Sequence, residues 1–180
     1  AYRYFARKED IVMALYCDTI DALVSYIDTL PDGQIADRFD LVLKKTIQDF
    51  TPYRYALMAL FGVAMHPESD VSLMGTDNNP ISKQLSDGYH MLVTGSDDTL
   101  RSPKAEQMGV TLYTFHMLLL LFWLYDRSEN QASTQKLINF VHELFKMLRP
   151  MFFLPMIPQA IAKLSAIVMP NLQHLEEGDN

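Results

Sequence analysis

The sequence predicts an all-α fold, and three observations predict it. Apolar residues recur at three- and four-residue intervals along the long segments, the period of a helix face. Seven glycines are few for 180 residues, whereas an all-β chain would need many more turn positions. The nine prolines fall mostly where those periodic segments begin or end, so they punctuate helices. No stretch reads as a strand, and there is no internal repeat or low-complexity tract. The length suits one well-buried domain rather than two.

The first long helix is expected from Lys8 to Leu30. Val12, Tyr16, Ile20, Leu23, Ile27 and Leu30 form its apolar stripe, with Asp18, Asp21, Ser25 and Asp28 on other faces. Pro31, Asp32 and Gly33 end it with turn chemistry. A second helix, about Gln34 to Phe50, carries Ile35, Phe39, Leu43, Ile47 and Phe50 inward and Lys44 and Lys45 outward. Thr51-Pro52 reads as a cap and first-turn pair opening a third helix to about Met65, with Leu57, Leu60, Phe61, Ala64 and Met65 apolar.

Polar residues from Glu68 to Asn78 read as a loop, and Asn79-Pro80 opens a fourth helix to Val93. Ser102-Pro103 opens the most apolar helix, about Pro103 to Tyr125. From Val110 onward it is hydrophobic nearly all round, so it is expected to be enclosed by protein on every side. Ser128 to Gln131 fits a capping box for a sixth helix ending near Leu148, with Leu137, Val141, Leu144, Phe145 and Leu148 inward. Pro150, Pro155 and Pro158 punctuate a link to a seventh helix, about Pro158 to Met169. Glu176 to Asn180 reads as a frayed tail.

The totals exclude several classes of function. Hydrophobic residues make up 49%, too many for a disordered chain. A net charge of −7, from 15 Lys+Arg against 22 Asp+Glu, argues against nucleic-acid binding over the whole surface and confines any such contact to a local basic spot. A single cysteine, Cys17, allows neither an internal disulfide nor a cysteine-built zinc site, and fits a reducing cytosol. The longest strongly apolar run, Met117 to Tyr125, falls short of the roughly 20 residues a membrane helix needs. No signal-peptide pattern opens the chain, and no membrane association is expected.

Catalytic motifs are not found. The five histidines are scattered, one to a helix or helix end, and no Gly-rich phosphate loop, nucleophile elbow or Cys/His pair occurs. Asp87-x-x-His90 is a weak echo of the Glu-x-x-His pattern that di-iron bundles repeat on two helices. Cys17 reads as a small core residue. The chain is therefore expected to be no enzyme and to need no cofactor or metal.

A small-molecule pocket fits the interior better. Met58, Phe61 and Met65 on the third helix, Tyr89 on the fourth, and Tyr113, His116, Met117 and Leu120 on the fifth combine flexible thioethers and aromatics with a few polar tips. Such a lining suits a bulky, mostly apolar ligand. His116 is the sharpest of these, a titratable ring inside an apolar helix. The competing account of the set is dense core packing. The helices at 103–125 and 131–148 offer a pairing surface, because the first is apolar on more faces than one small domain can cover. Asn139 and His142 are the polar positions of the second. Together with their symmetry mates the two would make a four-helix interface.

The first dozen residues, AYRYFARKEDIV, combine Tyr2, Tyr4 and Phe5 with Arg3, Arg7 and Lys8 ahead of the first helix. Tyr2-Arg3-Tyr4-Phe5, a turn at Ala6-Arg7, and Lys8-Glu9 opening a long helix resemble the TetR family of one-component bacterial regulators. In that family a helix-turn-helix ends in tyrosine, a variable residue, an aromatic or histidine, and phenylalanine; a short turn and Lys-Glu follow. Tyr2, Phe5, Lys8 and Glu9 match, and Tyr4 fits the aromatic slot. The motif covers about a dozen residues, and the order of helices after it fits as well.

The resemblance implies that residues 1–7 are the remnant of a DNA-binding head, whose first two helices and most of the third are absent here. Residues 8–175 would be a ligand-binding and dimerisation body. By position, Tyr2 and Tyr4 would contact backbone phosphate or base edges, Arg3 would read a base in the major groove, and Lys8 would hold a phosphate at a helix N-terminus. The alternative is a hydrophobic hinge of Tyr2, Tyr4 and Phe5 with Arg3 and Lys8 solvated. The expectation is a cytoplasmic, ligand-responsive transcriptional repressor, a homodimer that binds operator DNA through its head and a small apolar effector in its body. The competing class is a non-DNA-binding all-α carrier for an apolar molecule.

Overall fold

The computed structural model describes residues 8–64, 80–100 and 102–152. Among them there are six α-helices and no strand: α1 (Lys8–Asp28), α2 (Ile35–Phe50), α3 (Arg54–Ala64), α4 (Pro80–Thr94), α5 (Lys104–Tyr125) and α6 (Ala132–Phe152). Short 3-10 turns at Thr51–Tyr53 and Glu129–Gln131 precede α3 and α6. The expected seventh helix at 158–169 and the tail at 176–180 lie outside the described residues, as do residues 1–7 and Met65.

The apolar stripes become the core. Tyr16, Ile20, Leu23, Ile27 and Leu30 of the first segment are buried, and so are Ile35, Phe39, Leu43, Ile47 and Phe50 of α2. α1 stops two residues before the predicted end, because Thr29 and Leu30 turn back with i→i−3 bonds to Tyr26 and Ile27 ahead of Pro31. On α2 the outward lysines are held by their own turn: Lys44 pairs with Asp40 at 2.6 Å and Lys45 with Asp49 at 2.5 Å.

α4 packs most extensively on α5 and then on α1, while α6 lies mainly on α2. Two glycines set the close crossings. A Cβ on Gly109 of α5 would stand 3.1 Å from the His90 backbone nitrogen and 3.2 Å from its Cα. A Cβ on Gly88 of α4 would meet the Val24 side chain on α1 at 3.3 Å. α1, α4 and α5 thus form a tightly layered stack, with α3 closing one side.

Several helix ends are satisfied by residues far away in the chain, a requirement because terminal N–H and C=O groups lack partners within the helix. The buried Asp98 accepts from the Ile35 N–H at the start of α2 (2.7 Å) and from Arg149 Nε on α6 (3.1 Å). Arg38 of α2 donates to the Gly95 carbonyl just past α4. Arg54 donates to the carbonyls of Trp123 (2.9 Å), Leu124 (3.1 Å) and Asp126 at the end of α5, and its guanidinium lies 5.5 Å from the Trp123 ring centroid. A cation at a helix C-terminus also opposes the negative end of the helix dipole.

Four sequence expectations need correction. Thr51 is no N-cap: its backbone is helical and its hydroxyl donates back to the Ile47 carbonyl at 2.5 Å, so α2 runs almost directly into the 3-10 turn and α3. The Ser128–Gln131 capping box does not form either. Asn130 and Gln131 both take left-handed backbone, φ 50° and 57°, which places the Gln131 amide against Trp123 Nε1 (2.7 Å) instead. Asp126 replaces it, one carboxylate oxygen accepting from the Ser128 hydroxyl and N–H and the other from the Thr134 hydroxyl and N–H. Those bonds, the Ser128 hydroxyl first, hold its carboxyl well below the ordinary aspartate range.

The third correction concerns Pro150, which sits inside the last turn of α6 rather than ending it. There it removes a single i→i−4 bond, the one to the carbonyl of exposed Lys146. The fourth concerns α5, which is not enclosed all round. Val110, Leu118, Phe122 and Tyr125 are exposed along one stripe, and on α6 Phe140 and Met147 are 62% and 69% exposed. By length and composition α5 alone among the described helices could cross a membrane, yet 67% of that stretch is buried within the bundle.

Candidate functional site

Where α1, α3, α4 and α5 meet, the core changes character. α1 contributes Tyr16 and α3 contributes Phe61; their rings meet edge-on at 6.0 Å, and Tyr16 also stacks on Phe50 at 5.7 Å. α4 contributes Ser82 and Tyr89, seven residues apart and therefore on one face. α5 contributes Tyr113 and His116. The Tyr113 hydroxyl donates to Ser82 Oγ at 3.1 Å, and the Tyr89 hydroxyl bonds His116 Nδ1 at 2.6 Å. The Tyr89 ring lies edge-on to both His116 (5.8 Å) and Phe39 (5.6 Å).

Burial keeps this cluster uncharged. It raises the Tyr16 phenol far above its ordinary value, with the nearby Tyr113 and Cys17 adding repulsion. It does the same to Tyr89, with Tyr16 and Tyr113 adding to the effect, so the three phenols are electrostatically coupled. Tyr113 is raised by burial and partly relieved by its bond to Ser82. For His116, a base, burial acts in the opposite sense and lowers it to about 4. At neutral pH the cluster offers hydroxyls and a neutral imidazole inside an apolar wall. His116 Nε2 has no hydrogen-bond partner among the described residues although the residue is only 1% exposed.

Of the residues expected to contact a ligand, Phe61, Tyr89, Tyr113, His116, Met117 and Leu120 are all buried. Tyr89 and His116 touch directly, and Phe61 joins them through Tyr16 and the phenol group. Met117 and Leu120 follow Tyr113 at i+4 and i+7, on the same face of α5. Met58 is half-buried against the core, and Met65 lies outside the described residues. Sequence reasoning missed Tyr16 and Ser82. Ser82 had a signal, a hydroxyl-bearing residue set ahead of Leu85 and Tyr89 in an otherwise apolar stripe, whereas Tyr16 read only as part of the core stripe with Ile20 and Leu23.

Other sequence-derived candidates do not join this cluster. Tyr2, Arg3 and Tyr4 lie outside the described residues, and of Lys8 only the backbone, as the first residue of α1, is described. Cys17, expected in the core, is half-buried, because the next position along α1 has turned away from the Tyr16 stripe. His142, expected at a pairing surface, bonds Asp37 of α2 at 2.7 Å. Among the described residues no group of three His, Cys, Asp or Glu could hold a metal ion. No protein-family model, curated protein or solved structure matches this chain.

Proposed function

We propose that this chain is the sensing and pairing body of a TetR-type, ligand-responsive transcriptional repressor. The observation that carries the reading is the double use of α1. This one helix begins at Lys8, beside the Tyr2–Glu9 motif, and carries Tyr16 into the interior cluster. At 1.5 Å per residue the two positions are about 12 Å apart on one rigid element. A ligand that displaces the cluster therefore moves the helix leading to a DNA-reading head, and a shift in the separation of two such heads alters their fit to operator half-sites. Gly88 on α4 supports the coupling, since its missing side chain lets α4 bear directly on Val24 of α1.

The exposed stripe on α5 and α6 supports pairing. The two helices are about 33 and 32 Å long, enough to form a standard-sized interface with a second copy. Val110, Leu118, Phe122, Tyr125, Phe140 and Met147 would form its apolar centre. The functional unit is then a cytoplasmic homodimer whose partners are operator DNA, a small and mostly apolar effector, and no membrane.

The test uses the full-length regulator that this reading implies, with a DNA-reading head joined ahead of α1. Selection from a random DNA pool, followed by binding titrations at several salt concentrations, should give sequence-preferring and salt-dependent affinity that a ligand modulates. A chain that folds, pairs and binds apolar ligands without any such DNA preference would instead be a carrier or sequestering module.

A further inference from the structure

The geometry points to His116 Nε2 as the recognition point for an uncharged ligand that presents a carbonyl-type oxygen from an apolar body. This assignment rests on the body being ligand-binding, and names the ligand chemistry of that site.

The argument begins with the one hydrogen bond that fixes the ring. The Tyr89 hydroxyl and Nδ1 are 2.6 Å apart, and either could in principle donate. A phenol is the stronger acid of the two, and Nδ1 is its hydrogen-bond partner among the described residues. Tyr89 therefore donates, Nδ1 accepts, and the neutral ring carries its proton on Nε2. That N–H is buried and finds no acceptor among the described residues. A buried donor left unpaired costs about 1–3 kcal/mol, and native proteins leave very few. The complement of a buried N–H is an acceptor oxygen.

The surroundings decide which kind of molecule brings it. None of the described hydrogen bonds of the cluster involves a charged side chain. In those bonds a carboxylate or phosphate entering there would meet no arginine or lysine, and an ammonium no aspartate or glutamate, among the described residues. Burying an unpaired charge is far more costly than burying an amide or ketone. Phe61, Met117 and Leu120, all buried, supply apolar wall, and methionine is the side chain best able to re-pack around a guest. The fit is to a ketone, ester or amide oxygen on a hydrocarbon or aromatic frame.

Three probes of one shape test this on the present chain by isothermal titration: 2-acetylnaphthalene, 2-isopropylnaphthalene and 2-naphthoate. The ketone should bind about tenfold more tightly than the hydrocarbon, the factor that corresponds to about 1.4 kcal/mol, and the carboxylate should not bind. The Nε2 nitrogen resonance of His116 should shift with the ketone and stay put with the hydrocarbon. Because His116→Phe alone would strand the Tyr89 hydroxyl, the variant is the pair His116→Phe with Tyr89→Phe, its fold checked by circular dichroism. In that pair the ketone's advantage should vanish while hydrocarbon binding stays within about twofold. Equal affinity for ketone and hydrocarbon, or a buried water on Nε2 that the ketone leaves in place, overturns the assignment but leaves ligand binding standing. Failure of all three probes to bind overturns the ligand-binding reading and the assignment with it.

Discussion

The two faces of α5 are made of nearly the same residues and do opposite things. The inward face carries Leu112, Tyr113, His116, Leu120 and Trp123, all buried. The outward face carries Val110, Leu118, Phe122 and Tyr125, all exposed. Side-chain apolarity does not separate them; position relative to α4 and the other helices packed on α5 does. The inner face has polar tips, and they are largely matched: Tyr113 finds Ser82 and His116 Nδ1 finds Tyr89, while His116 Nε2 has no partner among the described residues. The outer face has almost none, so in one copy it remains an uncovered apolar stripe. A soluble helix carries such a stripe at a disadvantage unless something covers it, whereas a buried polar tip survives only with partners. The contrast teaches that on this helix the placing of hydrogen-bonding tips, more than hydrophobicity, marks inside from outside.

The sharpest way to break the comparison is to truncate one leucine on each face. Leu120→Ala should lower stability by about 2–5 kcal/mol, as large-to-small changes in packed cores do. Urea denaturation followed by circular dichroism would read it directly. Acid should act next most strongly, and on the inner face alone. Because burial lowers His116 to about 4 while the unfolded chain titrates near 6.5, the unfolded state takes up a proton first as pH falls. The contribution is complete above pH 6.5 and drains away between 6.5 and 4, a loss of roughly 3 kcal/mol at about 1.4 kcal/mol per unit. The His116→Phe, Tyr89→Phe pair should be flat over that window when stability is measured against pH.

A smaller effect is expected where the inner face meets α4. Gly109→Ala puts a methyl against the His90 backbone, which has no rotamer to yield, so about 1–3 kcal/mol should be lost. Gly88→Ala meets only the Val24 side chain and should lose less. Thermal melts of the two variants side by side would rank them, and the reverse order would place the tighter crossing at α1 rather than α5. Smallest of all is the outer leucine. Leu118→Ala should change monomer stability by no more than about 0.5 kcal/mol, measured at a dilution where pairing is absent. At higher concentration, the proposed pairing predicts a sedimenting dimer that Leu118→Glu with Phe122→Glu converts to monomer without altering the circular dichroism spectrum. Equal losses from Leu118→Ala and Leu120→Ala would collapse the distinction between the faces.

Much of this architecture was legible in the residues. The 3.6-residue period of α2 marked Ile35, Phe39, Leu43, Ile47 and Phe50 correctly, because each side chain's burial depends on local helix geometry and little else. The burial of Tyr89, Tyr113 and His116 was legible for the same reason: a tyrosine or histidine in an apolar stripe turns inward and seeks a hydrogen-bond partner. Tyr16 was legible only as core. Its role depends on Phe61, Tyr113 and Tyr89 arriving from three other helices, and no local pattern announces that.

The helix ends divide the same way. Local chemistry marked where helices stop, at Pro31-Asp32-Gly33 and near Val93. It misread what satisfies them, proposing Thr51 and a Ser128–Gln131 box where Ile47 and Asp126 hold the bonds. Asp98, Arg38 and Arg54 cap helices 57 to 72 residues distant in the chain. Residue order alone determined the all-helical class, the inward stripes and the neutral, aromatic character of the interior, since these follow from spacing and side-chain chemistry. Tertiary structure alone decided which face of α5 lies inside, which arginine closes which helix, and that His116 Nε2 finds no hydrogen-bond partner among the described residues. Those outcomes depend on which groups the packing brings within hydrogen-bonding distance, and that distance is not written in the order of residues.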